Sequence, residues 1–287
     1  MITTATTAAY GLAEAPYWDA RRQLVLWVDI VGCRVIEGAL QPDGTIAETG
    51  CHEFDCMVSA VVATLDGTLL VAAQEELICI DPNGERRVGP RVVPAGSGRR
   101  MNDGAVDPEG RFVVGTLKFG GGSSSETLVR VERDSSITVL DDDLTLSNGI
   151  AWSTDSTRMY TVDTRRQVVY RRTDDHARQV HLRVEDGYPD GIAVDADDHL
   201  WVAIWGAGEV RRFRPDGTLA ERVDVPAPHT SSIAFAGDDL RTMVITTAFD
   251  ELTDNERAEF PLSGRLFTLR TRVAGLAPTP WKEFPCD

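Results

Sequence analysis

Six copies of one strand–turn–strand pattern predict an all-β fold, a six-bladed β-propeller with four antiparallel strands per blade. The copies start at Glu14, Ser59, Asp103, Asn148, Asp190 and Ser231. Successive starts are 45, 44, 45, 42 and 41 residues apart, and a period of about 40–50 residues with several strands per unit is typical of propeller blades. Helical periodicity is nearly absent and the copies fill the chain, so we expect residues 1–287 to form one domain.

The order of residue types within each copy predicts its four strands. The copy that reads DGIAVDADDHLWVAI has an apolar run, an Asp-rich break and a second run rich in β-branched and aromatic residues, which together indicate a hairpin. A third strand that ends in a turn follows in most copies, for example TLVRVERDSS at 127–136 and EVRRFRPDGT at 209–218. A fourth, more polar segment leads to the next copy. Either residues 3–10 or residues 281–286 could supply the strand that closes the ring.

The composition argues against several classes of partner. With 29 basic and 45 acidic residues the formal charge is −16, and no cluster of Lys and Arg provides a surface for phosphates, so neither nucleic acid nor a membrane is an expected partner. The first residues lack the basic and apolar regions of a signal peptide, and no long uncharged apolar run follows, so we expect a cytoplasmic protein. The five cysteines, an odd number in a chain of this size, are expected to be free thiols.

Oxygen-bearing side chains recur where the copies begin. In a propeller the first strand of every blade lines the central channel in the same direction, so Glu14, Asn148 and Asp190 should meet at one mouth of the channel. Asp103, preceded by Asn102, would add a fourth carboxylate. Converging carboxylates repel one another unless a cation compensates, and an all-oxygen set suits calcium, magnesium or manganese, with zinc as a further candidate. The alternative is that Asx-Gly pairs before strands only form turns, an interpretation that suits Glu14 poorly.

Five motifs resemble those of the senescence marker protein (regucalcin) and gluconolactonase family of six-bladed propellers, and the resemblance runs essentially from end to end. They are GLAEAPYWD near the start, RRMNDGAVDPEGRFVVGTL at 99–117, LSNGIAWSTDSTRMYTVDT at 146–164, GYPDGIAVDADDHLWVAIWGAGEV at 187–210, and a final SSIAFAGDDLRTMVITTA followed by PLSGRLFTL and VAGLAP. Each motif alone is moderately specific, but five in the right order make a chance match improbable.

The resemblance implies a site and a reaction. Glu14, Asn148 and Asp190 would hold one divalent metal ion, with calcium the expected ion and zinc, manganese, magnesium or iron as alternatives. Arg100 and Asn102 would contact a sugar lactone, the expected small-molecule partner, which the protein would hydrolyse to the aldonic acid with Asp190 as general base as well as metal ligand. The chemistry is compatible with this, because a metal ion polarises a carbonyl and activates water, and a general base adds about 10²–10⁴ in rate.

One departure from the family leaves the choice of lactone open. Members that act on gluconolactone-like substrates often carry a Glu shortly after the Gly-Thr-Met that matches 115–117, whereas here Lys118 and Phe119 occupy that region and the nearest carboxylate is Glu126. The connections between second and third strands, which include KFGGGSSSE from Lys118, WGAG at 205–208 and the long segment 249–264, are expected to return to the mouth that holds the metal.

Three other functions stay open: a hydrolase of another ester or of a phosphotriester, a non-catalytic binding module, and a calcium-binding regulatory protein. A serine hydrolase is not expected, because the sequence has no Gly-x-Ser-x-Gly elbow. ATP binding has no support, because GGGSSS lacks the Lys of a phosphate-binding loop. His229 approaches the predicted mouth, where a loop histidine held by a backbone group is the preferred interpretation.

Overall fold

The structure, a computed structural model, describes residues 1–173 and 177–282. The chain begins with a short strand, β1 (Ile2–Thr4), and the next sixteen strands form four separate antiparallel sheets of four consecutive strands each. Sheet 1 consists of β2 (Ala13–Asp19), β3 (Leu24–Asp29), β4 (Arg34–Leu40) and β5 (Ile46–Glu53). Sheet 2 consists of β6 (Val58–Ala63), β7 (Leu69–Ala73), β8 (Glu76–Ile80) and β9 (Arg86–Arg91).

The next two sheets repeat this arrangement. Sheet 3 consists of β10 (Arg99–Val106), β11 (Phe112–Lys118), β12 (Glu126–Val131) and β13 (Ile137–Leu144). Sheet 4 consists of β14 (Ser147–Trp152), β15 (Arg158–Asp163), β16 (Val168–Thr173) and β17 (Gln179–Arg183).

The remaining strands form one eight-stranded sheet that has two halves. The first half consists of β18 (Tyr188–Val194), β19 (Leu200–Trp205), β20 (Glu209–Phe213) and β21 (Leu219–Asp224). The second half consists of β22 (His229–Ala236), β23 (Thr242–Ala248), β24 (Phe267–Arg270) and β1, and a short helix, α1 (Asp254–Glu259), precedes β24. A single residue pair, Trp205 with His229, joins the halves. The predicted all-β propeller-like ring is therefore confirmed, with four separate four-stranded sheets in place of six.

The N-terminal strand completes the second half. β1 pairs antiparallel with β24, so that Thr3 lies opposite Thr268. Of the two segments considered for closing the ring, the N-terminal one therefore supplies the strand, although it begins at Ile2 rather than at residue 3. Residues 283–286 of the alternative segment lie outside the described residues.

The first strands of the six strand sets pack side by side around a common axis, in the closed order β2, β6, β10, β14, β18, β22 and back to β2. Strands near this axis are rich in apolar residues where both faces meet neighbouring sheets: the first strand β6 (VSAVVA) and the second strand β7 (LLVAA) of sheet 2 are buried throughout. Outer strands such as β21 (LAERVD) are largely exposed and accordingly polar. Burial of the inner strands, at about 25 cal/mol per Å² of apolar surface, holds the sheets together.

Every inner strand has a β-bulge at the same level of the channel. The register with the second strand shifts between Glu14 and Tyr17, and equivalent shifts occur in the other five inner strands, next to Ser59, Asn102, Asn148, Asp190 and Ser231. A bulge turns side chains away from the regular alternation of a strand and is common beside functional sites. The starting residues of the six copies therefore lie where the ring changes the direction of its side chains.

The C-terminal segment covers one mouth of the channel. Leu276 N donates to Val194 O at 3.3 Å and Trp281 N donates to Ala63 O at 2.9 Å, so the segment crosses from the eight-stranded sheet to sheet 2. Access to the channel is therefore from the other mouth. No helix within the described residues is long and apolar enough to cross a membrane.

The cysteines differ in part from the prediction. Cys33, Cys51 and Cys56 are free thiols, as expected. Cys79, which is buried in β8, is disulfide-bonded, so the expectation of five free thiols is wrong.

Candidate metal centre and active site

All five residues predicted for the site line one cavity at the open mouth of the channel. The cavity has a volume of about 770 Å³, and the five residues are Glu14, Arg100, Asn102, Asn148 and Asp190. They come from four different inner strands, β2, β10, β14 and β18, so the ring is what brings them together. Each of the five is at least nine-tenths buried at the floor of the cavity.

Local backbone geometry accounts for the position of each oxygen donor. After Glu14 the chain enters the left-handed region at Ala15, with φ +46°, a conformation that costs a non-glycine residue free energy and is concentrated at functional sites. Gly149 follows Asn148 because a Cβ there would lie 2.4 Å from the backbone oxygen of Asp190. Neither Gly149 nor Gly191 has a positive φ, and both lie within strands. The alternative that these Asx-Gly pairs only form turns is therefore wrong.

Two of the three predicted metal ligands have a buried oxygen atom that lacks a hydrogen-bond partner among the described residues. These atoms are Oδ1 of Asn148 and Oδ1 of Asp190. The Asn148 amide is oriented by its other end, since Nδ2 donates to Oγ1 of Thr164 at 3.2 Å. The Glu14 carboxylate accepts one hydrogen bond, from the backbone N of Ala15 at 3.1 Å. Since buried polar atoms are nearly always paired, unpaired oxygens on adjacent strands fit a cation.

The electrostatics of the floor support the same conclusion. Burial raises the pKa of Glu14, and the charge of Asp103 raises it further. Burial also raises the pKa of Asp190 well above its usual value, and the charges of Glu14 and Asp103 add to the shift. A group of carboxyls that resist ionisation in the absence of a cation is the arrangement that a divalent ion would relieve.

Arg100 and Asn102 form a rigid pair beside the ligands. Arg100 Nη1 donates to Oδ1 of Asn102 at 2.7 Å, and Asn102 Nδ2 donates to the backbone oxygen of Ser147 at 2.9 Å. Burial lowers the pKa of Arg100 to about 10, while the charges of Glu14 and Asp190 oppose the shift. The guanidinium therefore remains cationic at neutral pH and has further N–H groups with which to bind an oxygen-rich ligand.

Asp103 does not line the open cavity that contains the predicted ligands. It lines a second cavity of about 380 Å³ on the covered side of the channel, and its Oδ1 accepts a hydrogen bond from the backbone N of Gly104 at 2.7 Å. Asn102, the preceding residue, faces the open cavity instead. Asp103 is close enough for its charge to raise the pKa of Glu14 and of Asp190, but it lines the cavity on the other side of the floor. The prediction of a fourth carboxylate at the open mouth is therefore wrong, and the bulge in β10 accounts for the displacement of its side chain.

Another acidic cluster, at the turn after β18, fits a metal less well. One ligand atom each of Asp195, Asp197 and His199 lies within 4.8 Å of the others. The Asp195 carboxylate, however, already accepts hydrogen bonds from Trp201 Nε1 at 2.8 Å and Arg212 Nε at 2.7 Å, and from two backbone N–H groups. Its acceptor capacity is occupied, so the cluster is a turn held by its own hydrogen bonds.

Only some of the residues at the rim of the open cavity were predicted from the sequence. The three connections predicted to return to this mouth do so, since Lys118, Phe119, Trp205 and Asp250 line the cavity. The cavity is also lined by Thr164, Arg165, Tyr188 and Glu251, which were not predicted individually from the sequence. Arg165 belongs to an arginine pair, a pattern typical of solvated charge. No local pattern marks Thr164, whose role depends on contact with a residue sixteen positions earlier.

His229 is held by a backbone group, in agreement with the preferred interpretation. Its Nδ1 lies 3.1 Å from the backbone oxygen of Asp250, and its ring stacks on Trp205 with the ring centroids 4.0 Å apart. His229 thus supports Trp205, which lines the cavity.

Comparison with known proteins places this geometry in a family. The family model described as the SMP-30/gluconolactonase/LRE-like region matches residues 12–249. The 6-deoxy-6-sulfogluconolactonase of Pseudomonas putida is 34% identical, with 93% of each chain covered, and the pentonolactonase XacC of Haloferax volcanii is 30% identical, with 96% of each covered. The crystal structure of the calcium-binding protein regucalcin from Agrobacterium tumefaciens superposes with a TM-score of 0.90 at 27% identity and covers 96% of this chain and 95% of its own. The chain therefore belongs to the SMP-30/gluconolactonase/LRE-like family.

Proposed function

We propose that this protein is a divalent-metal-dependent hydrolase that opens a sugar (aldono-) lactone to the aldonic acid. The observation that carries the proposal is the pair of buried, unpartnered oxygens on Asn148 and Asp190 beside the Glu14 carboxylate. The names of the relatives support the lactone, since two of them are lactonases. Those names refer to different sugars, so they leave the particular lactone open.

The metal would be held by Glu14, Asn148 and Asp190. Three oxygen ligands with two negative charges suit calcium, the ion that the Agrobacterium regucalcin is described as binding, with magnesium, manganese, zinc and iron as alternatives. When bound, such an ion supplies Lewis-acid polarisation of the lactone carbonyl and lowers the pKa of water.

The protein's own residues perform the remaining steps. Asp190 accepts a proton from the attacking water, whose oxygen forms a bond to the carbonyl carbon. As the bond between that carbon and the ring oxygen breaks, Asp190 returns the proton to the ring oxygen, which becomes the hydroxyl of the aldonic acid. Arg100, fixed by Asn102, donates hydrogen bonds to the sugar oxygens and to the carboxylate that forms.

Residues 1–287 act in this proposal as a single six-bladed domain. Two observations support this count: the eight-stranded sheet has two four-stranded halves joined by one residue pair, and six inner strands enclose the channel. A single domain of this kind is expected to unfold in one cooperative transition, which urea unfolding followed by both circular dichroism and tryptophan fluorescence would measure.

The test is hydrolysis of a panel of aldonolactones by metal-stripped protein, followed by proton release, before and after calcium, magnesium, manganese, zinc and iron are added one at a time. We expect one metal to restore turnover in the wild type but not in Asp190→Asn. Tight metal binding without turnover of any lactone would contradict the lactonase proposal. It would support a hydrolase of another ester or phosphotriester, or a non-catalytic metal-binding propeller, which a panel of those esters would separate.

A further inference from the structure

Two cationic side chains at the rim of the open cavity have no partner in the described part of the chain. Lys118 ends β11 and Arg165 follows β15; both are exposed and line the cavity. Neither side chain makes a hydrogen bond or an ion pair with residues 1–173 or 177–282. Arg166, next to Arg165, does have an acidic partner, since its Nη1 donates to Oδ2 of Asp163 at 3.0 Å.

The turn that begins at Lys118 lies against Arg165, and the two together form one corner of the rim. Gly121 N donates to the backbone oxygen of Lys118 at 3.1 Å, which closes a four-residue turn. A Cβ on Gly121 would lie 2.2 Å from Nη1 of Arg165, so the guanidinium packs directly against this turn. Glu126, the acid nearest to Lys118 in the sequence, does not neutralise the corner, because it is fully buried and bound to Arg99 Nε at 3.0 Å.

The acidic residues of the rim lie across the ring from this corner. Asp250 and Glu251 follow β23, and Asp250 N donates to Gly11 O at 2.9 Å, beside sheet 1. Lys118 and Arg165 belong to sheets 3 and 4, which face sheet 1 and the second half of the eight-stranded sheet across the channel. The rim is therefore polarised, with positive charge on one side and negative charge on the other.

We infer that the substrate carries an anionic group, either a sulfonate, a phosphate or a carboxylate, away from its lactone carbonyl, and that Lys118 and Arg165 bind that group. The inference rests on the proposed lactonase function. A protein with a net charge of −16 repels anions, and a Lys and an Arg that line the same cavity and have no partner among the described residues provide the local compensation that an anionic substrate needs. Arg supplies a planar pair of donors and Lys a compact charge, which together suit a tetrahedral or planar oxyanion.

Steady-state kinetics of the metal-loaded protein would test the inference. The substrates are gluconolactone and its analogues with phosphate, sulfonate or carboxylate at the sixth carbon, and the best of the three identifies the anion. We expect kcat/KM for one anionic lactone to exceed that for gluconolactone at least about tenfold, and Lys118→Gln and Arg165→Gln each to raise its KM about tenfold. The KM for gluconolactone, which lacks the anionic group, should rise much less in both variants. Lys282→Gln, which removes the chain's other lysine, is the matched control and should affect neither substrate.

The possible failures are distinguishable. Equal kcat/KM for neutral and anionic lactones, or equal losses for both in Lys118→Gln, would overturn the inference and leave the lactonase proposal intact. Turnover of no lactone would overturn the proposed function, and the corner is then tested by calorimetric titration with sorbitol and sorbitol 6-phosphate. Binding of the phosphate alone, lost in Lys118→Gln and kept in Lys282→Gln, would support an anion site. Absence of binding would overturn it.

Discussion

The two ends of β18 carry two buried aspartates with opposite environments. Asp190, near the start of the strand, is 5% exposed, and its Oδ1 has no partner in the described structure. Asp195, just beyond the end of the strand, is 0% exposed and accepts hydrogen bonds from Trp201, from Arg212 and from two backbone N–H groups. Both carboxyls are removed from water, but only Asp195 has both oxygens hydrogen-bonded. Asn148 and Arg100 offset the rise in the pKa of Asp190 only in part. Burial alone therefore does not distinguish a structural carboxylate from a functional one, whereas hydrogen-bond satisfaction does.

The same contrast occurs in other sheets. Asp19, at the end of β2, accepts from the backbone N of Arg21 and Arg22 at 3.1 Å and from Arg22 Nε at 2.6 Å. Asp107, after β10, accepts from Arg111 Nε at 2.7 Å. Glu14, at the open end of β2, has only the N–H of the residue that follows it. These hairpin ends are thus internally satisfied, whereas the acids at the floor of the open cavity are not.

Among substitutions of these two kinds of aspartate, the largest effect on turnover is expected at Asp190. Asp190→Asn should reduce turnover of the best aldonolactone at least about 10²-fold, because it removes both the general base and a ligand charge. The metal-stripped variant should be no less stable than the wild type, because one of the repelling carboxyls is now neutral. Turnover assays and urea unfolding of the stripped proteins measure the two effects. A loss of several kcal/mol in the stripped variant would instead identify Asp190 as a structural residue.

The converse substitution is Asp195→Asn. It leaves the buried N–H groups of Trp201 and Arg212 without a full acceptor, and breaking a buried ion pair of this kind costs about 3–5 kcal/mol. Urea unfolding should show that loss, and metal affinity should be retained. Asp197→Asn is the matched control: its contact with Arg212 is 3.4 Å long and exposed, so a change within about 0.5 kcal/mol is expected. Equal losses in both variants would refute the structural role of Asp195.

A metal ion should stabilise the protein by binding at the floor of the open cavity and not at Asp195. A metal ion at about 100 times its Kd raises the free energy of unfolding by about 2.7 kcal/mol if it binds only the folded state. Thermal unfolding of the stripped protein, with and without calcium, measures this. The gain should vanish in Glu14→Gln and persist in Asp195→Asn after the lower baseline is taken into account. A gain that persists in Glu14→Gln would assign the metal to another site.

The fold was predictable from the sequence because each repeat carries its own signal. Alternating apolar runs, Asp-rich turns and a regular spacing identified the inner strands and the side of the ring where their first residues lie. The joining of two strand sets into one sheet was not predictable, since it depends on one pair, Trp205 with His229, that lies 24 residues apart in sequence. Local pattern specifies strands, but it does not specify contacts between the edges of adjacent sheets.

The residues at the floor of the site were predictable from the sequence, whereas those at its rim were less so. Glu14, Asn148 and Asp190 converge because equivalent positions in a ring must meet, which the repeat alone implies. The displacement of Asp103 was missed because it results from a bulge, a feature of pairing rather than of composition. Arg165 was missed for a related reason: its lack of a partner is visible only when the positions of the surrounding acids are known.

A smaller effect is expected at Thr164, which supports a ligand without reaching the metal itself. Its hydroxyl accepts the hydrogen bond from Asn148 Nδ2 at 3.2 Å and so directs Oδ1 of the amide towards the floor of the cavity. Loss of such an orienting partner typically weakens metal binding about 10–100-fold. Thr164→Val, which keeps the shape of the side chain, should therefore lower calcium affinity by that factor in a calorimetric titration.

Thr164→Ser separates orientation from packing, because it keeps the hydroxyl and loses the methyl group. We expect its calcium affinity to stay within about threefold of the wild type. If Thr164→Val and Thr164→Ser weaken binding equally, the methyl group and not the hydrogen bond positions Asn148. If neither variant changes the affinity, the cation alone orients the Asn148 amide. The metal site would then be less preorganised than the hydrogen-bonded turns at the other end of the same sheets.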